Sequence, residues 1–254
     1  SRSHIDLESF EYLARRAEAA RFDFFFLAEG LRLREHKGRI HDLDVVGRPD
    51  TLPVLASLAA VTDRLGLAGT INTTFNEPYE LARQFATLDL LSGGRAAWNL
   101  VTSSDAFTGA NFRRGGFLDH SERYERAAEI VDVARQLWDS WSDDAIDADT
   151  ETGAFLREGA VQRVDHDGKH FDVHGTFTTP RGPQGHPVLF QAGDSGEGRE
   201  FAAATADVVF SLHGTFEDGQ VFYRDVKDRL AAYGRTEDSL KILPATTVVL
   251  GDTA

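Results

Sequence analysis

Apolar positions in this chain switch between two periods, and the switches mark a regular order of elements. From Leu7 to Ala20, the residues Phe10, Leu13, Ala14 and Ala17 fall on one helical face with charges opposite. Phe22 to Leu27 (FDFFFL) is an almost unbroken apolar run, the pattern of a parallel strand covered on both faces. Helix returns over Thr51 to Arg64, where Leu55, Leu58, Ala59 and Thr62 share a face, and Leu65 to Ile71 reads as a second strand. Glu77 to Leu91 predicts a third helix with Pro78 in its first turn, where a missing N–H costs little. A Ser92-Gly93-Gly94 turn leads into a third strand, Arg95 to Val101. Ser121 to Trp141 then predicts a long amphipathic helix with Tyr124, Ala128, Val131, Ala134 and Leu137 inward.

Two stretches interrupt this order. Residues 31–50 are charged and irregular, too long for a plain connection, and read as a functional or capping loop. Residues 142–185 are acidic, polar and punctuated by glycines, an inserted excursion with a short hairpin around His170 to Val173. Beyond them come a strand at Pro187 to Ala192, a helix through Ala204, a strand at Val208 to Leu212, a helix at Thr215 to Tyr233 and a strand at Lys241 to Leu250. The alternation recurs about six times without an internal sequence repeat, which predicts an α/β fold on a parallel sheet. It opens on a helix and closes on a strand. A TIM-like (β/α)8 barrel with insertions, cut short at both ends and occupying residues 1–254 as one incomplete domain, fits this order best.

Composition narrows the function classes. The 254 residues, 41% hydrophobic and 27% charged, suit one large globular domain with a substantial core. A formal charge of −14 argues against a nucleic-acid surface, which needs clustered Lys and Arg. The absence of Cys removes disulfides, thiolate nucleophiles and Cys-ligated zinc. No run approaches the ~18 apolar residues of a membrane-spanning helix, and no leader pattern opens the chain, so a cytoplasmic location is the expectation. A start at Ser1 and a complete lack of Met fit a segment of something longer.

Candidate chemistry gathers at strand ends. Asn99, Thr102, Ser103 and Ser104 close the third strand, Thr70 and Asn72 the second, and Glu29 the first. Polar residues at successive carboxyl ends are how such folds build a ligand site. Gly193-Asp194-Ser195-Gly196-Glu197-Gly198, between a strand and a helix, is either a phosphate cradle or a turn with Ser195 as a simple N-cap. His120 and Tyr124, four apart, share a helical face: both reach a ligand, or His120 caps the helix and Tyr124 packs. Trp98, Phe24 to Phe26 and Phe75 have the spacing of core residues, and any of them at a strand end could equally line an apolar pocket. His166, His170 and His174 recur every four residues, but Gly168 and β-formers around them favour a solvated hairpin over a metal-binding helix. Neither H-E-x-x-H nor G-x-S-x-G occurs, and no metal site is expected.

With these residues in view, the chain resembles the flavin-dependent monooxygenases of the bacterial luciferase superfamily, most nearly the nitrilotriacetate and dibenzothiophene-sulfone monooxygenase branch. The likeness is carried by RFDFFFLAEG, LASLAAVTDRLGLAGTINTTFNEPYELARQFATLDLLSGGRAAWNLVTS, HSERYERAAE, LWDSW, PRGPQGHPVLFQAGDSGEGREFAA and ADVVF, which together span nearly the whole chain. The resemblance implies a TIM-like barrel, usually a homo-oligomer (dimer or tetramer), with reduced FMN at the barrel's carboxyl end and a separate NAD(P)H:flavin reductase supplying it. It implies flavin contacts at Glu29, Thr70, Asn99, His120, Tyr124 and Ser195, with Ser195 and Tyr124 on the phosphate and Thr70, Asn99 and Glu29 toward the ring. His120, the candidate catalytic residue, binds phosphate or stabilises the peroxide of a peroxyflavin. Two departures stand out: Glu29 replaces an Asp, and Asp194 precedes Ser195 where a small or hydroxyl residue is commoner. The implied reaction is oxidation of a small organic substrate by dioxygen. The alternatives are a deazaflavin-dependent oxidoreductase of the same superfamily, a flavin-binding barrel without catalysis, and a metal-dependent barrel hydrolase.

Overall fold

The computed structural model describes residues 3–33, 35–40, 46–102, 109–112, 120–248 and 251. They fall into two compact units, residues 1–188 and 189–254.

In the first unit, helix α1 (Leu7–Ala19) precedes strand β1 (Phe24–Leu27), and a small antiparallel hairpin follows, β2 (Glu35–His36) and β3 (Arg39–Ile40). Then come α2 (Thr51–Ala59), β4 (Gly66–Asn72), α3 (Pro78–Ser92) and β5 (Ala96–Val101). β1, β4 and β5 lie side by side and parallel, as the apolar runs predict. Their register pairs Phe26 with Ala68 and Thr70 with Asn99. Alternation along the strands sets two faces. Leu67 packs with Leu55 and Leu58 of α2, and Trp98 stacks on Phe85 of α3 at 5.1 Å. Each fully buried Leu of that layer contributes roughly 1.5–3 kcal/mol. The intervening positions, Ala68 and Thr70 on β4 and Ala97 and Asn99 on β5, belong to the other face.

Local chemistry explains the boundaries. Asp50 caps α2 by accepting the Leu52 N–H at 3.0 Å. Pro78 opens α3, and Gly93 closes it in the left-handed conformation at φ +66°.

Helix α4 (His120–Asp139) lies against α3, with the Trp138 indole donating to Ala82 O at 2.9 Å. Its buried face differs from the sequence expectation. Val131, Ala134 and Leu137 are buried as predicted, but Ala128 is exposed, and Arg123 and Arg126 are buried with Ala127 and Ile130. Similarly, Leu13 of α1 is 53% exposed although it was expected inward with Ala14. The excursion after α4 carries an antiparallel hairpin, β6 (Arg163–Asp167) and β7 (Asp172–Thr176). The Trp141 indole, donating to Phe177 O at 2.8 Å, and Arg181, paired with Asp139, tie it to the end of α4.

The second unit continues the order. Strand β8 (Val188–Gln191) leads to α5 (Gly196–Thr205), β9 (Val208–Ser211), α6 (Phe216–Leu230) and β10 (Lys241–Pro244). β8 pairs parallel with β9, and β9 with β10, under a core of Ala202, Val209, Phe222, Val226 and Leu240. β10 is shorter than the apolar run to Leu250 predicts, ending at Pro244, which lacks the N–H a ladder needs. Among the described residues, no helix is long and apolar enough to cross a membrane.

Candidate functional site

Polar residues at the carboxyl ends of β1, β4 and β5 form two hydrogen-bonded pairs. The first is Thr70 with Asn99, directly opposite in register and 5% and 4% exposed. Asn99 Nδ2 donates to Thr70 Oγ1 at 2.9 Å, while Asn99 Oδ1 is buried with no hydrogen-bond partner among the described residues. A buried acceptor left unmet costs about 1–3 kcal/mol, so its natural complement is a donor brought by a ligand. Ala68 and Ala97, the pair just below in register, keep side-chain bulk small there.

The second pair is Glu29 with Asn72. The Glu29 carboxylate accepts the Asn72 N–H at 3.0 Å and its side-chain amide at 3.1 Å. Burial pushes the Glu29 pKa up to about 7; the Asn72 bonds oppose that shift, and nearby Asp50 adds to it. Glu29 and Asn72 open onto a cavity of about 500 Å³ that is walled by Leu52 and Ala56 of α2, Thr87 and Leu88 of α3, and Phe112; Thr70 and Asn99 are not in its lining. Phe75 stacks on Phe112, which lines that cavity, at 4.5 Å, nearer to the pocket-lining alternative than to the core one. Asn111 donates to Leu31 O at 3.3 Å, so the segments following β1, β4 and β5 are joined there.

Of the other predicted residues, Tyr124 is partly buried on α4. His120 begins that helix, and its side chain lies outside the described residues, as do Ser103 and Ser104. Ser195 is the N-cap of α5, its Oγ accepting the Gly198 N–H at 3.1 Å. A helix start of this kind also presents N–H groups with no intrahelical partner. Nothing lies within 4 Å of the place where a Cβ on Gly196 would stand. The Asp194 carboxylate accepts from Arg199 Nη2 at 2.7 Å.

The three spaced histidines lie on the hairpin, not on a helix. His166 reaches Glu129, and His174 reaches Asp165 and Asp167, each at 3.2 Å. Among the described residues, no group of three His, Asp or Glu is arranged to hold a metal. Two residues had been given no role from sequence. Asn72 had been noted only as polar at a strand end, and Arg126 sits within an apparently polar helix stripe. An arginine at an otherwise buried helical position is the signal that could have found the second.

Fold and site together define an α/β protein with polar side chains gathered at the carboxyl ends of its parallel strands, the place where such folds bind ligands. The chain belongs to the luciferase-like monooxygenase family, whose model matches residues 1–254. It is 42% identical over 256 residues to nitrilotriacetate monooxygenase component A of Aminobacter aminovorans, covering 98% of this chain and 56% of that protein. With dibenzothiophene-sulfone monooxygenase of Rhodococcus erythropolis it shares 41% identity over 249 residues, 96% of this chain and 55% of the relative. A crystal structure of riboflavin lyase with modified FMN and riboflavin matches with a TM-score of 0.89 at 33% identity, over 95% of this chain and 55% of that one. The chain thus spans little more than half the length of the curated relatives it matches.

Proposed function

We propose that the protein is the oxygenase of a two-component, FMN-dependent monooxygenase acting on a small organic substrate, on a barrel of which residues 1–254 form part. The observation that carries this reading is the buried Asn99–Thr70 pair with its unmet Asn99 Oδ1, in a chain 42% identical to a named monooxygenase component A. A flavin ring carries N–H donors that suit such an acceptor. When bound, reduced FMN supplies two electrons, so that one atom of dioxygen enters the substrate and the other leaves as water.

The chain's own residues bind and orient. Thr70 Oγ1 holds the Asn99 amide so that Oδ1 faces the ring. Glu29, carrying a proton in part near neutral pH, addresses the ring edge with Asn72 behind it. Ser195, at the start of α5, and Tyr124 hold the phosphate. His120 holds the phosphate or the oxygen under activation. A separate NAD(P)H:flavin reductase delivers the reduced flavin, and the protein works as a homo-oligomer.

Anaerobic titration with reduced FMN, followed by mixing with aerated buffer, tests the reading. Saturable binding and flavin reoxidation slower than in free solution are expected. Asn99→Ala should weaken binding about tenfold, one hydrogen bond to the ligand being worth roughly 1.4 kcal/mol. It should change stability by less than about 1 kcal/mol, because the lost bond to Thr70 is offset by removal of an unmet buried acceptor. No binding of reduced FMN by the wild type would sink the reading and make the deazaflavin the next ligand to try.

A further inference from the structure

The Arg126 side chain is buried in the first unit, only 2% exposed. A guanidinium cannot shed its proton, so its burial is costly unless every part is met. Glu77, 69% exposed, lies 3.9 Å away. Backbone carbonyls and an aromatic face meet the guanidinium as well. Nε donates to Thr73 O at 3.2 Å, Nη2 donates to Asn76 O at 2.9 Å, and the guanidinium lies 4.1 Å from the centre of the Phe171 ring.

Those carbonyls belong to the turn between β4 and α3, and the rest of the turn is organised around Asn72. Asn72 Oδ1 accepts the Phe75 N–H at 2.8 Å, and Asn72 O accepts the Asn76 side-chain amide at 2.8 Å. Thr73 N–H donates to Val101 O at 3.0 Å, and Thr73 and Thr74 are almost fully buried. Phe171 is fixed in turn from α4, because Glu129 accepts the backbone N–H groups of Phe171 and His170 at 2.9 and 3.0 Å. Arg126 and Glu129, one helical turn apart, therefore clamp the turn and the hairpin onto the helix that carries Tyr124.

We propose that Arg126 is a positioning residue: held between the β4–α3 turn and Phe171, its planar fork fixes the turn in the conformation in which Asn72 offers both donors to Glu29. The link to the cofactor rests on the function proposed above. The link to Asn72 does not. An apolar residue would fill this interior position at lower cost, but it would leave the Thr73 and Asn76 carbonyls unmet. Lysine keeps the charge and loses the fork that reaches both carbonyls at once.

The test compares wild type, Arg126→Lys and Arg126→Met in the full chain, by amide hydrogen exchange and by anaerobic titration with reduced FMN. In Arg126→Lys, amides 72–76 should exchange about tenfold faster, those of β8 to β10 at the wild-type rate, and the dissociation constant for reduced FMN should rise about tenfold. If Arg126→Met fails to fold, Arg126→Lys decides alone. Unchanged exchange at 72–76 overturns the proposal, as does faster exchange with unaltered FMN affinity. If the wild type does not bind reduced FMN, the cofactor reading falls while the exchange rates still decide whether Arg126 holds Asn72 on Glu29.

Discussion

Glu29 shows how one methylene and one neighbour set a residue's chemistry. Its carboxylate is half-buried beside Asp50, and desolvation raises its pKa to about 7 even though Asn72 donates to it twice. The folded state therefore binds this proton more tightly than the unfolded chain, whose Glu titrates near 4.5. Below the unfolded pKa the contribution is neutral. As pH rises from about 4.5 to about 7 the group works increasingly against folding, and above that the penalty is constant. Glu29→Gln removes the titration and keeps an oxygen for the Asn72 donors. Its stability relative to wild type should be similar at pH 4.5 and on the order of 2 kcal/mol higher at pH 8. Urea melts at the two values check this; an equal difference at both would mean that Glu29 is not held with a raised pKa. The sequence singled out Glu29 and Asn72 as polar strand ends, but neither their pairing nor the cavity is visible there, because both depend on how β1 and the β4–α3 turn meet.

The helix α2 and strand β4 touch so closely that a side chain at one glycine position would have to displace its neighbours. A Cβ on Gly69 would stand 2.7 Å from Thr51 Cγ2 and 2.8 Å from Leu55 Cδ1. Gly69→Ala should therefore push α2 off the sheet and destabilise by about 1–3 kcal/mol, read as a lower urea midpoint at unchanged slope. Adding Thr51→Ser removes the nearer methyl and should recover part of the loss; wild-type stability in the single variant would show that the contact yields freely. At this scale the sequence was largely legible. The unbroken apolar runs gave the parallel strands, and the Pro78 and Gly93 signals gave both ends of α3. The inward face of α4 was read less well: hydropathy treats Arg123 and Arg126 as surface residues and Ala128 as core, and tertiary partners reverse both. Ser195 was legible only as a choice between capping and phosphate binding. The observed Gly198 bond establishes the cap.

Across the molecule, arginines that close helix ends stand at the amino ends of the strands, opposite the ends proposed above to bind flavin, and each unit shows such an arginine for itself. In the first, Arg95 stands at the amino end of β5 and donates to Leu65 O at 2.7 Å, Thr62 O at 2.9 Å and Ala59 O at 3.1 Å, closing the carboxyl end of α2. In the second, Arg235 precedes β10 and donates to Ala203 O at 2.9 Å, Ala206 O at 2.6 Å and Ser239 O at 2.9 Å, doing the same for α5. Each guanidinium satisfies helix-end carbonyls that would otherwise lack partners, in the position that also suits the negative end of the helix dipole. The carboxyl end holds the opposite arrangement, with Asn99 Oδ1 buried and unmet. Arg95→Met and Arg235→Met should each lose about 2–4 kcal/mol, because several buried carbonyls are orphaned together. Well below their melting temperatures, both should bind reduced FMN within about twofold of wild type, since sites on strand-and-loop scaffolds of this kind occupy the carboxyl ends alone. Asn99→Ala should show the reverse, with near-wild-type stability and weakened binding. Urea melts and flavin titrations on the same three proteins settle it: an Arg95→Met protein that is folded yet as impaired toward flavin as Asn99→Ala would show that the two ends are energetically coupled and that the division does not hold.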